Sequence, residues 1–260
     1  MQLEFHQVDA FSERPFGGNP AMVYRLDAWL ADELMQRIAA EHNLAETAFV
    51  VREGAQWHIR WFTPTTEVPL CGHATLASAL VLFEVYGETL ETIDFVCQSG
   101  PLSVSRGRDL LWLDFPVIMP AEIERPLEIE RALGTTVVDV LGAHELFVVL
   151  ASEQAVRRCT PDWAMVAKLP WPGMIVTAPG QRHDFVSRYF APAIGINEDP
   201  VTGSTHCALI PYWAQRLGKT GLTAYQCSPR GGELFCRLEG DRVKIGGRAA
   251  LVAKGQLLLG

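Results

Sequence analysis

Four side chains in this sequence have the chemistry to hold or move a proton: Glu46, His73, Asp199 and Ser204. Gly72 and Gly203 stand beside the second and the fourth as bare backbone donors. Carboxylate and imidazole are the groups best suited to proton transfer near neutral pH. A desolvated Glu46 would have its pKa raised toward that range, the usual route by which a carboxyl becomes a working acid or base. His73, at the start of a helix, would be biased neutral by the helix dipole and fit to donate or accept a hydrogen bond. Each residue also has a plain reading. Asp199 before Pro200 suits a turn or an N-cap, and Ser204 suits a helix cap. Glu46 sits where a helix hands over to an apolar strand, and that position alone leans toward an exposed turn residue.

The elements that must position these residues are written twice. Residues 60–80, RWFTPTTEVPLCGHATLASAL, are answered by residues 188–209, RYFAPAIGINEDPVTGSTHCAL. Each copy reads as an aromatic strand, an irregular loop, a glycine turn, and a helix opening on Gly72-His73 or Gly203-Ser204. A helix that begins on a glycine turn presents unpaired N–H groups and the positive end of its dipole, which suits an anion. Two such turns, one per half, predict a small carboxylate-bearing molecule as ligand.

Around the repeats the pattern is α+β. Strands are predicted over residues 3–11, 21–24, 47–51, 57–62, 92–98, 100–106 and 110–115. Others are predicted over 146–150, 174–178, 185–190, 222–227, 233–239 and 242–245. Helical spacing marks residues 31–42, 74–86, 129–133, 162–168 and 207–217, with Pro211 placed in or near the first turns of the last. A proline-rich loop near residue 116 divides an N-terminal half, 1–112, from a C-terminal half, 113–260. The C-terminal strand is free to return to the first half.

Composition removes several classes of function. A net charge of −8 argues against nucleic acid or an anionic membrane as partner. No apolar run reaches the roughly 18 residues a membrane span requires. The amino terminus shows no secretory pattern, so the six cysteines are expected as reduced thiols in the cytoplasm. Cys71-x-His73 and His206-Cys207 could supply metal ligands on paper. Without a C-x-x-C pair, and with His206 and Cys207 pointing in different directions, no metal is expected. No G-x-S-x-G, Walker A or G-x-G-x-x-G motif occurs, which sets aside the hydrolase elbow, the phosphate loop and the dinucleotide fold.

These residues carry a family likeness that runs end to end. It rests on Asp9-Ala-Phe11 with Gly18-Asn-Pro20, Glu46-Thr47, Phe62-Thr-Pro64, Leu70-Cys-Gly-His-Ala-Thr75, Glu198-Asp-Pro-Val-Thr-Gly-Ser204 and Arg230-Gly-Gly232. The chain resembles the PhzF-like isomerases of phenazine biosynthesis. The resemblance implies the diaminopimelate epimerase fold: two similar halves, each a mixed or antiparallel sheet curled around a central helix, with the site in the cleft between them. It also implies a cofactor-free isomerase, a homodimer, acting on a small carboxylate compound. Glu46 would then be the general acid/base. His73, Asp199 and Ser204 would position substrate and assist the proton relay, and Gly72 and Gly203 would bind the carboxylate through their N–H groups. Racemases of the same fold use one cysteine per half. Here Cys71 keeps the first place, whereas the second falls on Pro200, which cannot exchange a proton. A two-base cysteine epimerase is therefore one alternative, and a non-catalytic binding protein on the same fold is another.

Overall fold

The computed structural model describes residues 1–259. They form two compact units, Met1–Asp114 with the C-terminal stretch from Gly246, and Phe115–Ile245. Unit 1 runs β1 (Gln2–Ala10), β2 (Asn19–Leu26), α1 (Asp32–His42), β3 (Glu46–Glu53), β4 (Gln56–Phe62), β5 (Glu67–Val68), α2 (Gly72–Leu80), β6 (Thr92–Cys97), β7 (Gly100–Arg106) and β8 (Leu111–Pro116). Unit 2 runs β9 (Ala121–Glu122), α3 (Ile129–Leu133), β10 (Asp139–Gly142), β11 (Leu146–Val149), α4 (Glu153–Arg158), α5 (Trp163–Val166), β12 (Met174–Pro179), β13 (Phe185–Ala191), β14 (Ile196–Asp199), α6 (His206–Leu217), β15 (Gly221–Gln226), β16 (Gly232–Glu239) and β17 (Arg242–Gly247). The chain then supplies β18 (Ala249–Leu258), which pairs antiparallel with β1 from Gln2↔Leu258 to Ala10↔Ala249.

The repeat legible in residues 60–80 and 188–209 extends through the topology. In unit 1, β1–β2 is antiparallel, β2–β3 parallel, β3–β4 antiparallel, β4–β6 parallel and β6–β7 antiparallel. In unit 2, β10–β11, β11–β12, β12–β13, β13–β15 and β15–β16 follow the same order of senses. Each parallel pair needs a crossover. Helix α1 makes the first in unit 1 and α4 with α5 the first in unit 2; α2 and α6 make the second in each. Strand β3 reads Thr-Ala-Phe-Val-Val after Glu46 and is buried on both faces, as a parallel-paired inner strand must be.

Both copies of the repeat are held by the same device. Arg60 on β4 clasps Glu67 through Nε and Nη2 at 2.7 Å each, and its guanidinium lies 5.2 Å from the Phe62 ring centre. Arg188 on β13 clasps Glu198 at 2.7 and 2.8 Å and lies 4.8 Å from the Phe190 ring centre. A forked guanidinium matched to a carboxylate fixes the loop after each aromatic strand. That loop is therefore more ordered than the sequence implied: in unit 2 it forms a 3₁₀ turn, Pro192–Ile194, and then β14.

Two boundaries differ from expectation. Helix α2 is shorter than the predicted 74–86 because Val81–Val85 forms a wider π turn. Val81, Leu82 and Phe83 are all buried there, and three successive buried residues do not fit one face of a 3.6-residue helix. Helix α6 begins at His206, not at Gly203. Its start is drawn in by i→i+3 bonds from His206 and Cys207 to the carbonyls of Gly203 and Ser204. Pro211 lies in the second turn of α6, among the early turns as expected. It leaves the Cys207 carbonyl without its helical donor, and the Ile118 N–H fills that place at 3.0 Å.

Candidate active site

In unit 1, Glu46 is the first residue of β3 and His73 the second of α2. Their side chains are 13% and 6% exposed, so the exposed-turn reading of Glu46 is wrong: the β2–β3 register carries it inward opposite Ala21. His73 Nε2 stands 3.2 Å from Glu46 Oε2, near enough for a proton to cross although off the line of a hydrogen bond.

Two neighbours of His73 Nδ1 bear on which ring nitrogen carries the proton. The Asn19 side-chain amide donates to His73 Nδ1 at 3.2 Å, and the Cys71 thiol lies 3.5 Å from the same nitrogen. Nδ1 is thus an acceptor, and the N–H sits on Nε2, facing Glu46. Burial holds the imidazole neutral, its pKa pushed down to about 3 by desolvation. The neutrality expected from the helix dipole is therefore supplied by burial.

The start of α2 is open to an anion. Cys71 occupies the N-cap without a side-chain hydrogen bond to the first turn, and no acidic residue lies in that turn. Gly72 and His73 present N–H groups from a helix whose first eight residues are all buried, where a dipole is least screened. Thr75 Oγ1 donates to the Cys71 carbonyl at 2.6 Å and holds the cap in place.

Asn19 was not singled out in the sequence, though its setting between Gly18 and Pro20 was. Gly18 has φ +62°, and a Cβ there would stand 2.1 Å from the Ala10 carbonyl oxygen, so only glycine lets the turn deliver Asn19 to His73. The buried Asp9 carboxylate accepts the Phe16 N–H at 2.7 Å and ties down the same turn.

In unit 2, Asp199 ends β14, 8% exposed, and accepts from the Thr202 hydroxyl. Gln226, fully buried on β15, donates to the Asp199 carbonyl at 2.9 Å and accepts the Thr202 N–H at 2.8 Å. Ser228 Oγ donates to the Pro200 carbonyl at 2.7 Å. Gly203 and Ser204 follow in the tightened turn before α6, with Gly203 buried and Ser204 half-buried. His206 Nδ1 donates to the Thr202 carbonyl at 2.9 Å and is also kept neutral by burial, its pKa pushed down to about 4. The segment 199–206 is thus a cross-braced turn. Gln226 escaped the sequence reading because a single glutamine in a strand carries no pattern, whereas Thr202 lay within the Glu198–Ser204 motif without a role of its own.

Residues 8–255 match the family described as phenazine biosynthesis-like protein, PhzC-PhzF. The chain belongs to this family. An uncharacterized isomerase of Pseudomonas aeruginosa is 67% identical over 260 residues, covering 100% of both chains, and a second from the same organism is 50% identical over 259 residues with the same coverage. Among solved structures, a PhzF-family protein of Enterococcus faecalis superposes with a TM-score of 0.98 at 51% identity, covering 100% of each chain. A hydroxyproline epimerase of Agrobacterium vitis shares the fold alone, with a TM-score of 0.66 at 10% identity over 98% of this chain and 92% of that one. The family likeness, the α+β class and the racemase-type fold are therefore as the sequence implied. The relatives named isomerases place isomerase-type chemistry at the level of the family.

Proposed function

We propose that the protein is an isomerase in which Glu46 carries a proton between carbons of a small carboxylate-bearing substrate, without a cofactor. One observation carries the reading: a sequestered carboxyl stands 3.2 Å from a neutral imidazole, beside a helix start with no side-chain cap. Glu46 takes a proton from a carbon activated by the neighbouring carboxylate, leaving an enolate-like anion. It then returns the proton to another carbon, and the bond order shifts with it. Because His73 stays neutral, it does not compete for that proton. Its Nε2–H steadies the Glu46 carboxylate when Glu46 is ionised and the developing oxyanion once Glu46 holds the proton. In this reading the N–H groups of Gly72 in unit 1 and of Gly203 in unit 2 are carboxylate donors, fixed dipoles of the kind that act most strongly on charge that develops in the transition state. Asp199 and Ser204 position substrate in this reading, as the family likeness assigns them, and the working form is a homodimer.

One residue acting as general acid and base supplies about 10²- to 10⁴-fold, and positioning and electrostatics supply the remainder. Incubating the protein with metabolite extracts in D₂O, with mass spectrometry as readout, tests the proposal. The expected result is deuterium entering at least one small carboxylate compound. Cysteine two-base chemistry is separated by a matched pair of variants. If Cys71→Ala retains exchange and Glu46→Gln loses it, the glutamate reading stands; the reverse pattern would replace it. A binding protein without catalysis would be stabilised by ligands and exchange nothing.

A further inference from the structure

The geometry points to a second capacity of this corner of unit 1: Glu46, Cys71 and His73 form a three-ligand site for a thiophilic divalent cation of the Zn²⁺ class. One ligand atom from each lies within 4.8 Å of the other two. The three are a carboxylate, a thiol and an imidazole, the side chains from which zinc sites are built, and three protein ligands leave a fourth position open. Zinc–ligand lengths of about 2.0–2.3 Å require ligand atoms roughly 3.3–3.8 Å apart. The Glu46 Oε2 to His73 Nε2 distance, 3.2 Å, is already close to that spacing. Cys71 Sγ lies 3.5 Å from the other ring nitrogen, Nδ1, so binding at Nε2 also requires a turn about the Cys71 Cα–Cβ bond.

His73 Nε2 is buried and has no hydrogen-bond partner, the condition of a nitrogen ready to take a ligand. Binding there requires the proton to move to Nδ1 and meet an acceptor, the usual companion of a metal-bound imidazole. Asn19 is placed for that. A flip of its amide replaces the NH₂ now 3.2 Å from Nδ1 by the carbonyl oxygen, which accepts the Nδ1–H. The cation displaces the Cys71 thiol proton to solvent, and no electron changes hands. Ca²⁺ and Mg²⁺, which favour all-oxygen shells, have little claim on a thiolate and an imidazole. In the sequence Cys71 and His73 were set aside for want of a C-x-x-C pair; the third ligand comes from the start of β3.

Occupancy ties up Glu46 and His73, so the cation inhibits proton transfer. That consequence rests on the proposed isomerase reading, whereas the binding itself does not, and the two are read by different signals. The test titrates CoCl₂ into chelator-treated, reduced protein and follows its absorption. The expected result is one Co²⁺ per chain with a near-ultraviolet thiolate-to-cobalt band that Zn²⁺ abolishes. Cys71→Ser removes the band, and Cys97→Ser, a half-buried thiol on β6, keeps it. Asn19→Ala weakens affinity on the order of 10- to 100-fold, with an unchanged circular dichroism spectrum. X-ray absorption of the Zn²⁺-loaded unaltered protein needs no variant and is expected to show one sulfur neighbour at about 2.3 Å. A cobalt band that survives Cys71→Ser, full affinity in Glu46→Gln, or a zinc shell without sulfur would overturn the inference.

Discussion

At the scale of single residues, the account turns on two imidazoles that are held neutral for different ends. His73 faces Glu46, and His206 braces the turn before α6; burial lowers both, to about 3 and about 4. An unfolded chain protonates its histidines near pH 6.5, so between that value and the folded values the unfolded state takes up protons that the native state refuses. Their contribution to stability is thus fully present above pH 6.5 and is lost as pH falls through about 4 for His206 and about 3 for His73. Thermal melts across pH 4–8 are expected to show a decline below pH 6.5 that is shallower in His206→Gln. A parallel decline in that variant would contradict the assignment. Glu46 and His73 were legible as chemistry because few other residue types move protons, yet their meeting was not, since it depends on the register of β3 against β2. Asn19 is the reverse case: its glycine turn was visible, and its role is a matter of which ring nitrogen it touches.

Among the elements, the repeated arginine clasp makes a measurable contrast. Arg188 and Glu198 are 11% and 14% exposed, and Arg188 also donates to the Val156 and Cys159 carbonyls at the end of α4. Arg60 and Glu67 are 26% and 33% exposed. Removing one member of a buried pair costs about 3–5 kcal/mol, whereas an exposed pair is worth about 1 kcal/mol or less. Arg60 is half-buried and also bonds Asp32 at 2.8 Å, so urea unfolding is expected to show Arg188→Met losing more stability than Arg60→Met; equal losses would contradict the burial argument. Helix α6 offers a second test. The Trp213 indole donates to Thr177 Oγ1 at 3.0 Å and stacks on Phe185 with 5.8 Å between ring centres, 6° from parallel. Thr177→Val strands that buried donor and is expected to cost about 1–3 kcal/mol by the same measurement. The aromatic strands were readable because their alternation is strong. Pro211 was readable within the early turns of its helix, whereas the π turn after α2 was not, because its three successive buried residues fit no single helical face.

For the molecule as a whole, the order of elements along the chain has a consequence that local pattern does not show. Strand β18, the last in sequence, lies against β1, the first, so unit 1 is closed by residues from both ends of the chain. Leu257 and Leu259 pack on the cluster formed by Met22, Tyr24, Met35 and Phe49. A chain ending at Gly247 would leave β1 with an open edge and that cluster partly bare, a combination that favours aggregation. It is expected to melt at lower temperature and to form large species in size-exclusion chromatography; a monodisperse truncated chain with the parent's melting temperature would contradict this. No described helix is long and apolar enough to cross a membrane. The repeated order of parallel and antiparallel pairs was legible only at its two aromatic copies, since pairing sense depends on crossovers that leave no mark in composition. The central claim is that Glu46 moves the proton, and the comparison of unaltered protein with Glu46→Gln in D₂O tests it most directly. The account predicts deuterium in a carboxylate product with the unaltered protein and none above background with the variant. Exchange at an unchanged rate in Glu46→Gln would contradict it.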